Sequence, residues 1–183
     1  MSLAAKRRKE GSQTCNVWDK LDKNLRVEDA PRKTLMPSTF TSLHVHIIFS
    51  TKERVPLIAD DWRGRLHAYL GGMVKGMNGV PLAVGGVADH AHLLVGLKSS
   101  HRLDYFLRDL KADSTDWVHR GINRKLFSWQ KGYAAFSVSP SNLERVRRYI
   151  ENQEEHHRRN TFQEEFVTLL QASGLEYDER YLW

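Results

Sequence analysis

The sequence predicts an α+β fold of the ferredoxin-like type, an antiparallel sheet with two helices on one face. Two observations lead to this prediction. Four short apolar segments have the composition or alternation of strands, and two longer segments carry apolar residues at helical spacing. Their order along the 183-residue chain is strand, helix, strand, strand, helix, strand. A third helix and a C-terminal segment follow.

The first and third predicted strands carry the clearest pattern. In SLHVHIIFS at 42–50 and HAHLLVGL at 90–97, the odd-numbered residues are apolar and share one face. The even-numbered positions hold the histidines of both strands, which therefore point to the other face. In the predicted fold these two strands are neighbours at the centre of the sheet. We expect the helices to cover the apolar face and the histidines to lie together on an open face.

The remaining core elements follow from periodicity and from turn signals. A helix over 61–77 has apolar residues at helical spacing, and a strand over 78–89 is weakened by its glycines and proline. A second helix starting at Leu103 carries an apolar stripe, and a fourth strand covers 132–139. These elements complete the predicted sheet and its two helices.

The third predicted helix lies C-terminal to the core. Ser141 and Glu144 have the spacing of a capping box, which predicts that this helix begins at Ser141. The helix continues through RRYIENQ at 147–153. A short helix and a tail are predicted over 161–183.

Composition sets limits on location and partners. The chain has one cysteine, Cys15, so an internal disulfide is excluded. It lacks both a secretory signal and an apolar stretch long enough to cross a bilayer, so we expect a cytoplasmic protein with no membrane partner. The net charge of +6 permits a polyanionic partner, but nine Lys or Arg, against five acids, lie in residues 1–35. We expect residues 1–35 to be a disordered basic extension and residues 36–183 to form the catalytic domain.

Two His-x-His pairs indicate a candidate metal site on the sheet. Side chains at positions i and i+2 of a strand point the same way, about 7 Å apart, so two imidazoles can converge on one ion. The spacing alone does not choose between the pair on the first strand and the pair on the third. A third ligand is needed from another element. On the third predicted helix, Tyr149 and Gln153 are four residues apart and share a face.

These residue types fit metal-assisted phosphoryl transfer. A tyrosine hydroxyl, with an ordinary pKa near 10, is a poor nucleophile at neutral pH unless a cation neutralises charge on the electrophile. Neutral His and Gln ligands would leave most of the cation's charge for an anionic phosphodiester. Mg²⁺ or Mn²⁺ in a six-coordinate site would keep positions free for phosphate oxygens.

Four stretches of the chain resemble one family of DNA enzymes: FTSLHVHIIFSTKER (40–54), DHAHLLV (89–95), RRYIENQ (147–153) and the ending YDERYLW. They resemble the HUH nucleases, named for His–hydrophobic–His. The resemblance is closest to the single-tyrosine, IS200-like transposases of small bacterial insertion sequences. It covers about residues 36–183.

The resemblance implies an activity, a cofactor and partners. His90, His92 and Gln153 would bind Mg²⁺ or Mn²⁺, and Tyr149 would attack a phosphodiester of single-stranded DNA. The products would be a 5′-phosphotyrosine link and a free 3′-OH, which could later rejoin strands at element ends marked by hairpins. Members of the family act as homodimers, often with the tyrosine helix of one subunit reaching the histidine pair of the other.

Other residues beside these motifs are candidates for supporting roles. His46 is expected to line the same face, and Asp89 could orient a metal-binding histidine or simply begin its strand. His156 and His157 are expected to be solvated. Three basic residues could contact DNA phosphate or form exposed charged surface: Lys52, Arg145 and Arg148.

Several alternative functions remain open from the sequence. A non-catalytic single-strand-binding module on the same fold would stack bases on sheet-face aromatics, which the third strand lacks. A replication initiator, a relaxase or a domesticated nuclease for repeat hairpins would use the same chemistry as a transposase. A hydrolytic metalloenzyme would not need Tyr149.

Overall fold

The computed structural model describes residues 40–158 and 161–178. The predicted extension over residues 1–35, the predicted domain start at residue 36 and most of the YDERYLW ending lie outside the described residues. Within the two described ranges, none of the helices is long and apolar enough to cross a membrane.

Four strands form one antiparallel sheet in the order β2-β3-β1-β4. The strands are β1 (Leu43–Ser50), β2 (Val80–Gly86), β3 (His90–Leu97) and β4 (Ala134–Ser137). Two long helices, α1 (Asp60–Gly76) and α2 (Leu103–Trp117), alternate with them in the predicted order. The predicted α+β class and the central position of β1 and β3 are therefore confirmed.

The odd-numbered faces of β1 and β3 pack against α1 and α2 and form the main core. Fully buried members of this core include Ile47 and Leu93 from the sheet, with Trp62, Leu66 and Leu110 from the helices. Burying a side chain of this size stabilises the fold by about 1.5–3 kcal/mol relative to leaving it exposed. The sheet is thus held firmly on one side and can support functional groups on the other.

Three further helices cover the second face of the sheet: α3 (Leu143–Glu151), α4 (Gln153–His157) and α5 (Phe162–Ala172). The prediction of an open histidine face is therefore wrong. The physical reason is that the same face carries apolar side chains beside the histidines. These apolar side chains are buried in two small clusters. In the first, Ala83, Leu94 and Val138 pack against Ile150 of α3. In the second, Ile48 and Phe136 pack against Phe162 and Leu170 of α5.

The N-terminus of the tyrosine-bearing helix differs from the prediction. Helix α3 begins at Leu143, after a 3₁₀ turn over Pro140–Asn142, and the side chain of its cap residue, Asn142, makes no capping hydrogen bond to the helix. The Ser141–Glu144 capping box is absent because Glu144 accepts a hydrogen bond from Arg148 at 2.9 Å instead. The chain does form a capping box at α5, where Thr161 and Glu164 exchange both hydrogen bonds.

Helix α3 docks on the sheet through a close backbone contact at Gly85 of β2. A Cβ atom at position 85 would overlap the carbonyl oxygen of Ile150 on α3. We therefore expect Gly85→Ala to push α3 away from the sheet and to destabilise the fold by about 1–3 kcal/mol, as overpacking does. Urea unfolding monitored by circular dichroism would measure this cost.

The matched control for this prediction is Gly72→Ala on α1, where an added Cβ would meet no atom within 4 Å. Alanine has the higher helix propensity, so this control should leave the stability unchanged or raise it. Equal stability of the two variants would contradict a tight contact between α3 and β2.

Candidate active site

Three histidines from the two central strands form the floor of the site. In the antiparallel register, His92 of β3 lies opposite Ile48, which places His46 of β1 diagonally beside it. Nε2 of His46 lies 3.0 Å from Nδ1 of His92, and the two rings are stacked. His46, His90 and His92 are all buried, as the cover of α3 to α5 requires.

In each histidine of β3, a neighbouring residue engages Nδ1, and Nε2 is left to face the centre of the site. Nδ1 of His90 lies 2.7 Å from Oδ1 of Asp89, whose other oxygen accepts a hydrogen bond from Arg54 at 3.1 Å. Nδ1 of His92 is engaged by His46. Engagement of Nδ1 fixes ring orientation, as in metal-binding histidines. Nε2 of both rings is therefore directed into the site.

Helices α4 and α5 bring further polar groups to the same point. Nε2 of His157 lies 3.1 Å from Nε2 of His90 and 2.9 Å from Oε2 of Glu165. Oε1 of Glu165 lies 3.5 Å from Nε2 of His92. Ligand atoms of four residues all lie within 4.8 Å of one another: His90, His92, His157 and Glu165. This group could hold a divalent metal ion.

Gln153 also reaches the site, although not from the expected helix. Helix α3 ends at Glu151, and the non-helical conformation of Asn152 separates it from α4. Gln153 is buried, with Oε1 3.0 Å from Nε2 of His157 and 3.5 Å from Nε2 of His90. The structure therefore brings the three predicted ligands together while breaking the predicted continuous helix.

Two residues of the site differ from the sequence interpretation. The expectation that His157 is solvated is wrong, because its side chain is largely withdrawn from solvent and its Nε2 lies beside His90 and Glu165. Glu165 was missed altogether. Its signal lay in TFQEEF, where the helical spacing from Phe162 places position 165 near the buried side of α5.

Burial shifts the pKa values of three residues of this site toward their neutral forms. Removal from water lowers the pKa of His46 to about 4 and that of His92 well below its ordinary value. Burial, with a smaller effect of the Asp89 carboxylate, raises the pKa of Glu165 to about 8. A divalent cation bound beside Glu165 would provide the opposite charge that stabilises a buried carboxylate.

The residues present fit such a cation. Nε2 of His92 is buried and makes no hydrogen bond among the described residues. Imidazole nitrogens, an amide oxygen and a carboxylate oxygen are all donors that Mn²⁺ accepts, and the oxygens suit Mg²⁺. A buried nitrogen without a partner is costly, and a metal bond would satisfy it.

Tyr149 lies directly beside the histidines. Its ring meets the edges of His46 and His92, with centroids 6.0 and 5.8 Å apart. Its hydroxyl is buried and has no hydrogen-bond partner among residues 40–158 and 161–178. A reactive hydroxyl is thus held next to the group that could bind metal.

The remaining candidates separate into two sets. Arg145 lines a cleft that also contains Tyr149 and His46. Lys52 and Arg148 are exposed and lie beside acidic neighbours, Glu53 at 3.9 Å and Glu144 at 2.9 Å. Their contacts with DNA stay predictions.

Comparisons with known proteins support this interpretation of the fold. The chain resembles the crystal structure of a "putative transposase" from Deinococcus radiodurans R1, with 24% identity and a TM-score of 0.52, over 63% of this chain and 94% of that one. It also resembles a REP-associated tyrosine transposase bound to a REP hairpin, with 12% identity and a TM-score of 0.51, over 64% and 70% of the two chains. At these identities, the likeness concerns the fold. No curated protein matches the chain.

A family model gives the stronger result. The model described as "Transposase IS200 like" matches residues 39–153, well over half of the chain. The matched range contains both histidines of β3, Tyr149 and Gln153. The chain belongs to the IS200-like transposase family.

Proposed function

We propose that this transposase cleaves and rejoins single-stranded DNA at hairpin-marked ends, with Tyr149 as the nucleophile. The observation that carries the proposal is the position of Tyr149, whose buried hydroxyl has no hydrogen-bond partner among the described residues and whose ring contacts His46 and His92. A purely structural tyrosine in such a site would be expected to hydrogen-bond its hydroxyl.

The reaction follows from this arrangement. The Tyr149 oxygen attacks the phosphorus of a phosphodiester, and the bond from phosphorus to the 3′ oxygen breaks. The phosphate stays on Tyr149 as a 5′-phosphotyrosine, and the tyrosine proton is balanced by the one gained by the 3′-OH. Attack of a 3′-OH on this link reverses the step and rejoins strands, so no external energy source is needed.

His90 and His92 would hold Mg²⁺ or Mn²⁺ together with oxygen ligands from Gln153 or Glu165, and His157 adjoins them. A cation bound there would supply positive charge against the phosphate oxygens. Asp89 and His46 would keep the two histidine rings oriented through their Nδ1 atoms. Arg54 in turn would fix Asp89, whose pKa is held below its ordinary value by the hydrogen bonds of His90 and Arg54, although burial opposes them.

Hairpin DNA is the proposed partner, and a homodimer is the proposed assembly. A hairpin is supported by the structurally similar REP-associated transposase, which was solved with a REP hairpin bound. That similarity also favours a second candidate function with the same chemistry, the processing of chromosomal repeat hairpins. A binding module without catalysis is disfavoured because it would have no use for a buried tyrosine beside three histidines.

The test uses single strands from the DNA flanking the gene. The protein is incubated with these strands and Mn²⁺, and a denaturing gel is examined for a covalent protein–DNA adduct. We expect an adduct whose DNA-linked peptide, identified by protease digestion and mass spectrometry, contains Tyr149. Hairpin binding without any adduct would contradict the proposal and favour a binding module.

A further prediction concerns the N-terminal segment. The family match begins at residue 39, so we expect a chain starting at Met36 to form the adduct at the rate of the full chain. The rate would be measured by the gel assay at equal protein and DNA concentrations. Loss of cleavage in the shortened chain would show that residues 1–35 belong to the functional unit.

A further inference from the structure

A cleft between α3 and α5 leads from the protein surface to Tyr149. It has a volume of about 420 Å³, and His46 and Tyr149 lie on its lining beside the metal-binding group. Its side walls are Val146 of α3 and Leu169 of α5. This volume lies within the range of sites that bind small molecules, about 300–1,000 Å³, and suits a single nucleotide unit.

Among the described residues that line the cleft, Arg145 is a cation without an ion pair. Arg147 and Arg148 are occupied by ion pairs with Glu151 and Glu144, each at 2.9 Å. Arg145 makes no ion pair among the described residues, and it lies one helical turn before Tyr149 on the same face of α3. Of the three arginines beside the nucleophile, Arg145 is therefore the one available to phosphate.

The two acidic residues that line the cleft, Glu164 and Glu165, make no ion pair with Arg145 among the described residues. The Glu164 carboxylate accepts hydrogen bonds from the backbone and the hydroxyl of Thr161, both at 2.9 Å, in the capping box of α5. Glu165 is buried and directed to the histidines. The cleft thus combines apolar walls, the side chain of Arg145 without an ion pair among the described residues, and Tyr149 on its lining.

We infer that this cleft binds one unpaired nucleotide of the DNA strand, the nucleotide adjoining the scissile phosphate. Arg145 contacts a backbone phosphate, and the base lies between Val146 and Leu169. This inference rests on the proposed function. A base held in the stack of a duplex cannot enter a cleft of this size, so the site selects a nucleotide that is unstacked and single-stranded.

The test measures binding with the uncleaving Tyr149→Phe protein. Two labelled DNAs are compared by fluorescence anisotropy, a hairpin with its single-stranded flank and the same hairpin alone. We expect Arg145→Ala, added to Tyr149→Phe, to weaken binding of the flanked hairpin about tenfold. The slope of the logarithm of affinity against the logarithm of salt concentration should also fall by about one, as expected for the loss of one phosphate contact. Binding of the hairpin alone and of Mn²⁺ should stay unchanged.

Arg147→Ala is the matched control, because it removes the same charge from the same helix outside the cleft. We expect it to leave the flanked hairpin's affinity unchanged. A scan with abasic sites along the flank should locate one position, next to the cleavage point, at which loss of the base weakens binding. Equal effects of the two arginine variants, or no sensitive position in the scan, would overturn the inference.

The two proposals fail in different ways. Adduct formation by the protein with Tyr149 intact is measured with the same flanked hairpin. If the adduct forms equally well with Arg145→Ala, the proposal of a nucleotide-binding cleft is refuted and the assignment of Tyr149 as nucleophile is supported. If no adduct forms and Arg145→Ala specifically loses binding of the flank, the assignment of Tyr149 as nucleophile is refuted and the nucleotide-binding cleft is supported.

Discussion

Replacement of Tyr149 by phenylalanine is expected to abolish strand cleavage and joining, with a loss of at least about a thousandfold, as removal of a nucleophile does. The ring would keep its contacts with His46 and His92. The hydroxyl makes no hydrogen bond among the described residues, so its removal should not lower the free energy of unfolding. Hairpin binding should also be retained.

The measurement is the rate of product formation on a denaturing gel, with thermal unfolding as the check on the fold. Tyr105→Phe, on the partly exposed surface of α2, is the matched control and should retain full activity. Cleavage by Tyr149→Phe at the rate of the unaltered protein would refute the nucleophile assignment.

The double replacement of His90 and His92 by alanine is expected to remove Mn²⁺ binding. Both Nε2 atoms point into the candidate metal site, and no other described residue could take their positions on β3. Isothermal titration calorimetry should then show no heat of Mn²⁺ binding above background, and adduct formation should disappear. Because the two rings are buried, the variant will also lose stability, and the titration must be made well below its unfolding temperature.

His44→Ala is the control for this variant, since it removes a histidine of the other pair that is not fully buried. Its Mn²⁺ affinity should match that of the unaltered protein. Unchanged affinity in the double variant would place the metal elsewhere. Glu165→Gln, which keeps the size of the side chain, separates the two possible oxygen ligands: weaker Mn²⁺ binding assigns Glu165, and unchanged binding favours Gln153.

The fold was largely predictable because its signals are local. Alternation in β1 and β3 is visible in the sequence itself, and it predicts both the buried face and the shared direction of His90 and His92. Local patterns of this kind do not depend on how distant segments pack.

The site was only partly predictable because its closure depends on tertiary packing. The break at Asn152 has no glycine or proline signal, and no local pattern indicates that His157 lies beside His90. Glu165 enters the site because α5 packs on Ile48 and Phe136, although residue 165 lies 165 − 92 = 73 residues after His92 in the chain. Periodicity places a residue on a face of its own helix, and it does not indicate which surface that face will meet.

The docking of α3 on its own sheet has a consequence for stoichiometry. Tyr149, both histidines of β3 and Glu165 come together within one chain, so a single chain would hold the complete set of proposed reactive groups. Cleavage per mole of protein should then be independent of protein concentration. A mixture of Tyr149→Phe protein with His90→Ala/His92→Ala protein should not regain activity. In a dimer, two complete sites would then act on two DNA ends held near each other. The partner subunit would not be needed to complete either site.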